Sequence, residues 1–208
     1  MRQRTLLVSA AVLLSACASA PVGERPTVTE GDLNQITAVL KRDFHARGSA
    51  KMDRVESDVV QQMCNLHADN PPAERAKALE EVQFKAIKFP AGSLSGDWKS
   101  GQRIAQSGRG MQWNDGPKDV SGGSCYNCHQ LSPQEASYGT LGPSLLGFGK
   151  VRGNSPETQK YAFGRIYDSK AYNLCAQMPR LGHSGTLTEQ QIKDLVAYLV
   201  DPNSPVNK

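Results

Sequence analysis

Apolar residues at helical spacing predict three amphipathic helices, within residues 32–46, 52–68 and 71–89. Their apolar positions are Leu33, Ile36, Val39, Leu40 and Phe44 in the first, Val55, Val59, Met63 and Leu66 in the second, and Ala78, Val82, Phe84 and Ile87 in the third. Three short helices make only a thin core by themselves, so we expect their apolar faces to pack on another part of the chain.

The glycine- and proline-containing stretch FPAGSLSG at residues 89–96 interrupts this pattern and predicts a domain boundary. Beyond it, helical patterns recur in GDWKSGQRIAQSGRG, around ETQKYAFGRIYDSKA, and in TLTEQQIKDLVAYLVD, where Thr188 is placed to cap the final helix. No alternating pattern indicates a sheet. The sequence therefore predicts an all-α chain with a helical N-terminal extension at residues 21–95 and a second domain at residues 96–208.

The first 17 residues have the pattern of a secretory signal peptide: two arginines, then an apolar run too short to span a bilayer. Two processing routes stay open. LSAC, which ends at Cys17, resembles the lipobox of bacterial lipoproteins, whereas an A-x-A site would give ordinary cleavage. We expect a periplasmic protein whose only membrane attachment is a lipid at Cys17, if that route is taken. The net charge of +4, without a long basic run, argues against nucleic-acid binding.

The sequence CYNCH, from Cys125 through Cys128 to His129, is the attachment motif for haem c. Its two thiols can add to the two vinyl groups of one haem, and the next residue can offer an imidazole to the iron. A zinc site would need a second ligand pair, and a thioredoxin-like dithiol would need a βαβ context, and the sequence has neither. We therefore expect one covalent haem c with His129 as the proximal ligand.

The distal ligand is sought in the stretch YNLCAQMPRLGHSGTL. Met178, which lies before the final helix, is favoured because a thioether ligand raises the reduction potential and suits electron transfer. His183 and Cys175 are the rival ligands, and an open iron position is a further alternative. If Met178 is the ligand, His183 is expected to have no role at the iron.

Of the five cysteines, two belong to the haem motif and Cys17 to the leader, which leaves Cys64 and Cys175. In an oxidising compartment this pair favours a disulfide that ties the extension to the loop around Met178. The alternative is that Cys175 is a reactive thiol or a thiolate ligand.

The motifs CYNCH, GTLGPSLLGFG, CAQMPRLG and LTEQQIKDLVAYL, in this order, resemble a class I cytochrome c domain. Their combination is similar to the X subunit of the periplasmic sulfur-oxidation (Sox) system, SoxX. The resemblance covers about residues 96–200 and implies Cys125 and Cys128 as thioether attachments and His129 and Met178 as axial ligands. From the resemblance to short cytochromes c, the carbonyl of Pro143 is expected to accept a hydrogen bond from His129.

The family resemblance also implies partners. A SoxA-type monohaem or dihaem cytochrome would form the SoxAX complex, an L-cysteine S-thiosulfotransferase that couples thiosulfate to a cysteine of a SoxYZ-type carrier. This chain would be the electron-accepting subunit, with no catalytic residue of its own, and a soluble cytochrome c would receive the electrons. Two other hypotheses stand beside it: a free electron shuttle, and a haem sensor or catalyst, which would require an open iron position.

Overall fold

A computed structural model describes residues 27–116 and 119–208 of the chain. Its α-helices are α1 Glu30–Asp43, α2 Val59–Leu66, α3 Ala73–Ala86, α4 Trp98–Gln106, α5 Phe148–Arg152, α6 Pro156–Tyr167 and α7 Glu189–Val200. The described residues contain no β-strand, so the predicted all-α fold is confirmed. None of their helices is long and apolar enough to cross a membrane. The leader, Cys17 and its processing lie outside the described residues.

Reciprocal side-chain caps fix where three of these helices begin. Thr29, Asp58 and Thr188 each accept a hydrogen bond from a backbone N–H of the first turn, and a polar side chain three residues on bonds back to the cap backbone. This reciprocal arrangement satisfies two backbone donors that a helix start otherwise leaves unpaired. The prediction of Thr188 as a helix cap is confirmed.

Among the helices of the described residues, α5 alone has no counterpart in the predicted patterns. It has five residues and lies between Gly147 and Gly153, whose φ angles are +67° and +76°. A helix of barely more than one turn has too few positions to show a 3.6-residue period, so pattern alone does not reveal it.

The main core lies where α4 and α7 cross. A Cβ on Gly101 would lie 2.0 Å from the backbone oxygen of Asp194, so only glycine allows this approach. The Asp194 carboxylate accepts a hydrogen bond from the backbone N–H of Asp97, the cap of α4. Ile104 of α4 and Val196 of α7 are buried in the same core. The rest of the domain packs around this crossing of α4 and α7.

The extension packs on this domain at two places. Ile87, just beyond α3, is buried in the main core, and the ring of Phe89 lies 5.8 Å from that of Phe163. A second, smaller core joins α2 to the C-terminal domain and contains Val60, Cys64 and Leu174. The domain therefore covers one side of α2 and the chain just after α3. The expectation for the apolar faces is met only there, because Val59, Val82 and Phe84 are 39–59% exposed and α3 has no buried residue.

Among the described residues, the apolar face of α1 does not pack on another part of the chain, contrary to the prediction. The side chains of Ile36, Val39, Leu40 and Phe44 are 38–54% exposed, and α1 has no buried residue. An ion pair between Lys41 and Glu56, at 3.1 Å, links α1 to the segment that follows it. Within the described part of the chain, α1 projects from the domain instead of packing on it.

Candidate haem site

The attachment motif lies on a tight turn after α4. Residues Cys125–Asn127 form one turn of 3-10 helix, and the backbone N–H groups of Cys128 and His129 both donate to the carbonyl of Cys125. Cys125 and Cys128 are free thiols. Burial raises the pKa of the Cys125 thiol to about 12, so at neutral pH this group is protonated before any bond to a cofactor is made.

The glycine-rich segment after the motif lies alongside it. The N–H groups of Gly139, Gly142 and Leu145 donate to the carbonyls of Tyr126, Cys128 and Gln130, at 2.8–2.9 Å. A Cβ on Gly139 would lie 1.8 Å from the carbonyl oxygen of Asn127, which explains why this position has no side chain. The pairing holds the two segments in a fixed register.

This register places Pro143 beside the proximal histidine. Nδ1 of His129 donates to the Pro143 carbonyl oxygen at 2.7 Å, because a carbonyl can only accept. The imidazole also lies against Gly142, where a Cβ would be 2.2 Å from Cε1 of the ring. With Nδ1 occupied, Nε2 carries the free lone pair, which is the nitrogen a haem iron needs. The residues present therefore fit a covalently attached haem.

Met178 lies in the loop between α6 and α7 and packs against the same main core as Cys125. Its carbonyl accepts a hydrogen bond from the hydroxyl of Ser169, at 2.6 Å, and Ser169 is fully buried. Leu181, in the same loop, would be 3.7 Å from a Cβ on Gly123, two residues before Cys125. The Met178 loop and the attachment turn are thus neighbours.

Cys175 and His183 have separate surroundings. Cys175 forms a disulfide with Cys64, with the two Cα atoms 5.5 Å apart, and is therefore not a free thiol. Nδ1 of His183 lies 3.4 Å from the Asp168 carboxylate. Burial raises the pKa of that carboxyl, while the N–H of Lys170 and the nearby charges of Arg180 and Lys170 act in the opposite direction.

Several residues that position this loop were not predicted. Ser169 holds the carbonyl of Met178, Glu80 accepts a hydrogen bond from the N–H of Leu174 at 2.8 Å, and Arg180 pairs with Asp58. Isolated polar residues far apart in the chain carry no periodic signal. Gly142 could have been found, since glycine before proline in GTLGPSLLGFG marks a close backbone approach.

Comparison with known proteins defines the class. The family model for cytochrome c matches residues 101–201, so the chain carries a cytochrome c domain, whose cofactor is covalently bound haem c and whose chemistry is haem-based electron transfer. An uncharacterized lipoprotein of Aquifex aeolicus (strain VF5) is 37% identical over 146 residues, which are 67% of this chain and 69% of that protein. At this identity and coverage, the chain belongs to the same family as that lipoprotein.

Proposed function

We propose that this exported protein holds one haem c through thioether bonds from Cys125 and Cys128, with His129 and Met178 as axial ligands. The observation that carries this proposal is the imidazole of His129, oriented by the Pro143 carbonyl directly after the two thiols. When bound, haem c carries one electron at a time between its ferric and ferrous states.

The chain's own residues orient the imidazole of His129 and would supply both ligands of the iron. Pro143 and Gly142 fix the proximal imidazole from two sides, and a hydrogen bond from its ring N–H makes the histidine a more basic ligand. The hydroxyl of Ser169 holds the backbone carbonyl of Met178, the residue that would supply the second ligand. A methionine in the sixth position favours the reduced state and leaves no position for a small substrate, which suits electron transfer and disfavours a sensor or catalyst.

The particular role we propose is that of the electron-accepting subunit of a SoxAX-type complex. The order of the four motifs supports it, together with an extension that a minimal electron shuttle does not need. In the reaction, a carrier thiol and thiosulfate form one S–S bond and release one proton and two electrons. This chain would take those electrons singly from a SoxA-type partner and pass them to a soluble cytochrome c.

Purification of the tagged protein from its host, followed by reduction kinetics, tests this role. We expect it to co-purify with a second c-type cytochrome. The haem of the complex should be reduced by thiosulfate only when a carrier protein with a free cysteine is also present. Recovery as a monomer that thiosulfate and carrier do not reduce would instead support a free electron shuttle.

We further propose that Cys17 is acylated, which the lipoprotein name of the Aquifex relative supports. One lipid-modified cysteine would hold the domain at a membrane surface without embedding it. Cys17→Ala should move the protein from the membrane fraction to the soluble fraction, with its haem content unchanged. If the wild-type protein is already soluble after lysis, ordinary cleavage is the route.

A further inference from the structure

Contacts from the extension concentrate on the few residues before Met178. The carboxylate of Glu80, on α3, accepts a hydrogen bond from the N–H of Leu174 at 2.8 Å. Cys64, on α2, is bonded to Cys175. The side-chain amide of Gln177 donates to Asp69, in the loop between α2 and α3, at 3.3 Å. Three separate parts of the extension thus reach the segment directly preceding the methionine.

The extension also contacts the chain just after Met178. The guanidinium of Arg180 pairs with the Asp58 carboxylate and contacts Gln83 Oε1 at 3.4 Å. The Arg180 side chain is only 12% exposed. Burial alone would raise the pKa of Asp58, but hydrogen bonds from the Gln61 N–H and from Arg180 outweigh it and lower that pKa. The carboxylate is therefore charged at neutral pH and the pair is charge-assisted.

The cytochrome c domain also makes hydrogen bonds to this segment. Ser169 donates to the carbonyl of Met178, and Nζ of Lys170 donates to that of Leu174 at 3.0 Å. A cleft of about 290 Å³ lies beside these contacts and is lined by Cys64, Lys170 and Met178, among others. Leu174 and Cys175 pack in the smaller core with α2 and α3. Beside the cleft, the contacts of Gln177 with Asp69 and of Arg180 with Asp58 add to that packing and fix the rest of the loop.

We propose that the N-terminal extension is a clamp on the Met178 loop that sets how readily Met178 leaves the haem iron. Glu80 and Asp58 are its positioning residues, and the Cys64–Cys175 disulfide is its covalent part. This inference rests on the proposed ligation by Met178. The N-terminal extension would then have a function within the cytochrome itself, whether or not a partner protein binds to the extension.

Cyanide binding to the ferric holoprotein tests the clamp, because Met178 must leave the iron before cyanide can bind. In Glu80→Ala, loss of a partly buried hydrogen bond should speed cyanide binding by roughly three- to tenfold. Asp58→Asn keeps the helix cap but removes the charged partner of Arg180, and should have a similar effect. Glu80→Gln retains an acceptor for the Leu174 N–H and should restore most of the wild-type rate.

Matched controls separate the clamp from general loss of stability. Glu81 is the exposed neighbour of Glu80 on the same helix, and Asp53 is an exposed acid near Asp58, so Glu81→Ala and Asp53→Asn should bind cyanide at the wild-type rate. The reduction potential of Glu80→Ala should also fall, since a loosened thioether stabilises the reduced state less.

Two different results would overturn the inference. If Glu80→Ala and Asp58→Asn bind cyanide no faster than their controls, the extension is not a clamp, while the ligand assignment stands. If the wild-type ferric protein lacks the long-wavelength absorption band of a methionine–iron bond, the ligand assignment fails and the clamp fails with it.

Discussion

At the scale of single residues, Gly142 and Pro143 act on the same imidazole. Pro143 supplies the carbonyl that holds Nδ1 of His129, and Gly142 leaves the space in which the ring lies. Two adjacent residues with different physical properties therefore determine one ligand orientation, and each can be changed separately.

Gly142→Ala tests the space beside the ring. The new Cβ would lie 2.2 Å from Cε1 of His129, so the imidazole must move and its bond to Pro143 must lengthen. We expect a loss of about 1–3 kcal/mol in the free energy of unfolding of the holoprotein, the usual cost of overpacking. Urea unfolding followed at the haem absorbance measures it. Gly116→Ala, whose Cβ would be no closer than 3.5 Å to its neighbours, should change little.

Asp58 gives a pH dependence with a defined sign. Its pKa in the folded protein is below the ordinary value of 3.8, so the stabilisation is present above that value and is lost as pH falls through the folded-state pKa. Wild type should therefore be more stable than Asp58→Asn at neutral pH, and the difference should disappear in strong acid. Urea unfolding across this pH range measures it. A difference that stays constant down to low pH would show that the Asp58 carboxylate is not stabilised by folding.

At the scale of helices, the α4–α7 crossing is the contact that the rest of the domain depends on. The two helices approach closely because Gly101 has no side chain at their contact, and α7 buries most of its residues in the domain. Just after α6, the hydroxyl of Ser169 donates to the carbonyl of Met178 and so holds the Met178 loop near the end of that helix.

Gly101→Ala should destabilise the domain through this crossing. Its Cβ would lie 2.0 Å from the backbone oxygen of Asp194, which no side-chain rotation can relieve. We expect a loss of at least about 1–3 kcal/mol in the free energy of unfolding, from overpacking that exceeds the gain in helix propensity. Gly31→Ala, in α1, has its nearest atom at 3.5 Å and should be neutral or stabilising. Equal unfolding midpoints for the two variants would contradict a close α4–α7 contact.

Local patterns predicted much of this architecture but little of what holds the Met178 loop. The periods of α2, α3 and α7 and the cap at Thr188 are local properties, and the chain forms helices there. Glu80 and Leu174 are 94 residues apart, and Asp58 and Arg180 are 122 apart, so only the tertiary fold brings them together. The exposed face of α1 was likewise beyond prediction, since a helical period shows which residues share a face but not whether another element covers it.

At the scale of the whole molecule, the Cys64–Cys175 disulfide closes a loop of 111 residues between the extension and the Met178 loop. The chain-entropy model assigns such a loop a stabilisation of a little under ~5 kcal/mol, as an upper value. The Cys64→Ser, Cys175→Ser double variant should lower the free energy of unfolding by up to that amount, as measured in urea. Intact mass of the wild type should lie two hydrogens below the value for reduced thiols, and two alkylatable thiols in the native protein would contradict the disulfide.

The central claim is that His129 and Met178 bind the iron of one covalently attached haem, and the absorption spectrum of the ferric protein tests it most directly. The exported wild-type protein should show the weak long-wavelength band that a methionine–iron bond produces, and Met178→Ala should lose this band while keeping its haem. A wild-type ferric spectrum without the band, or a Met178→Ala spectrum that retains it, would contradict the assignment.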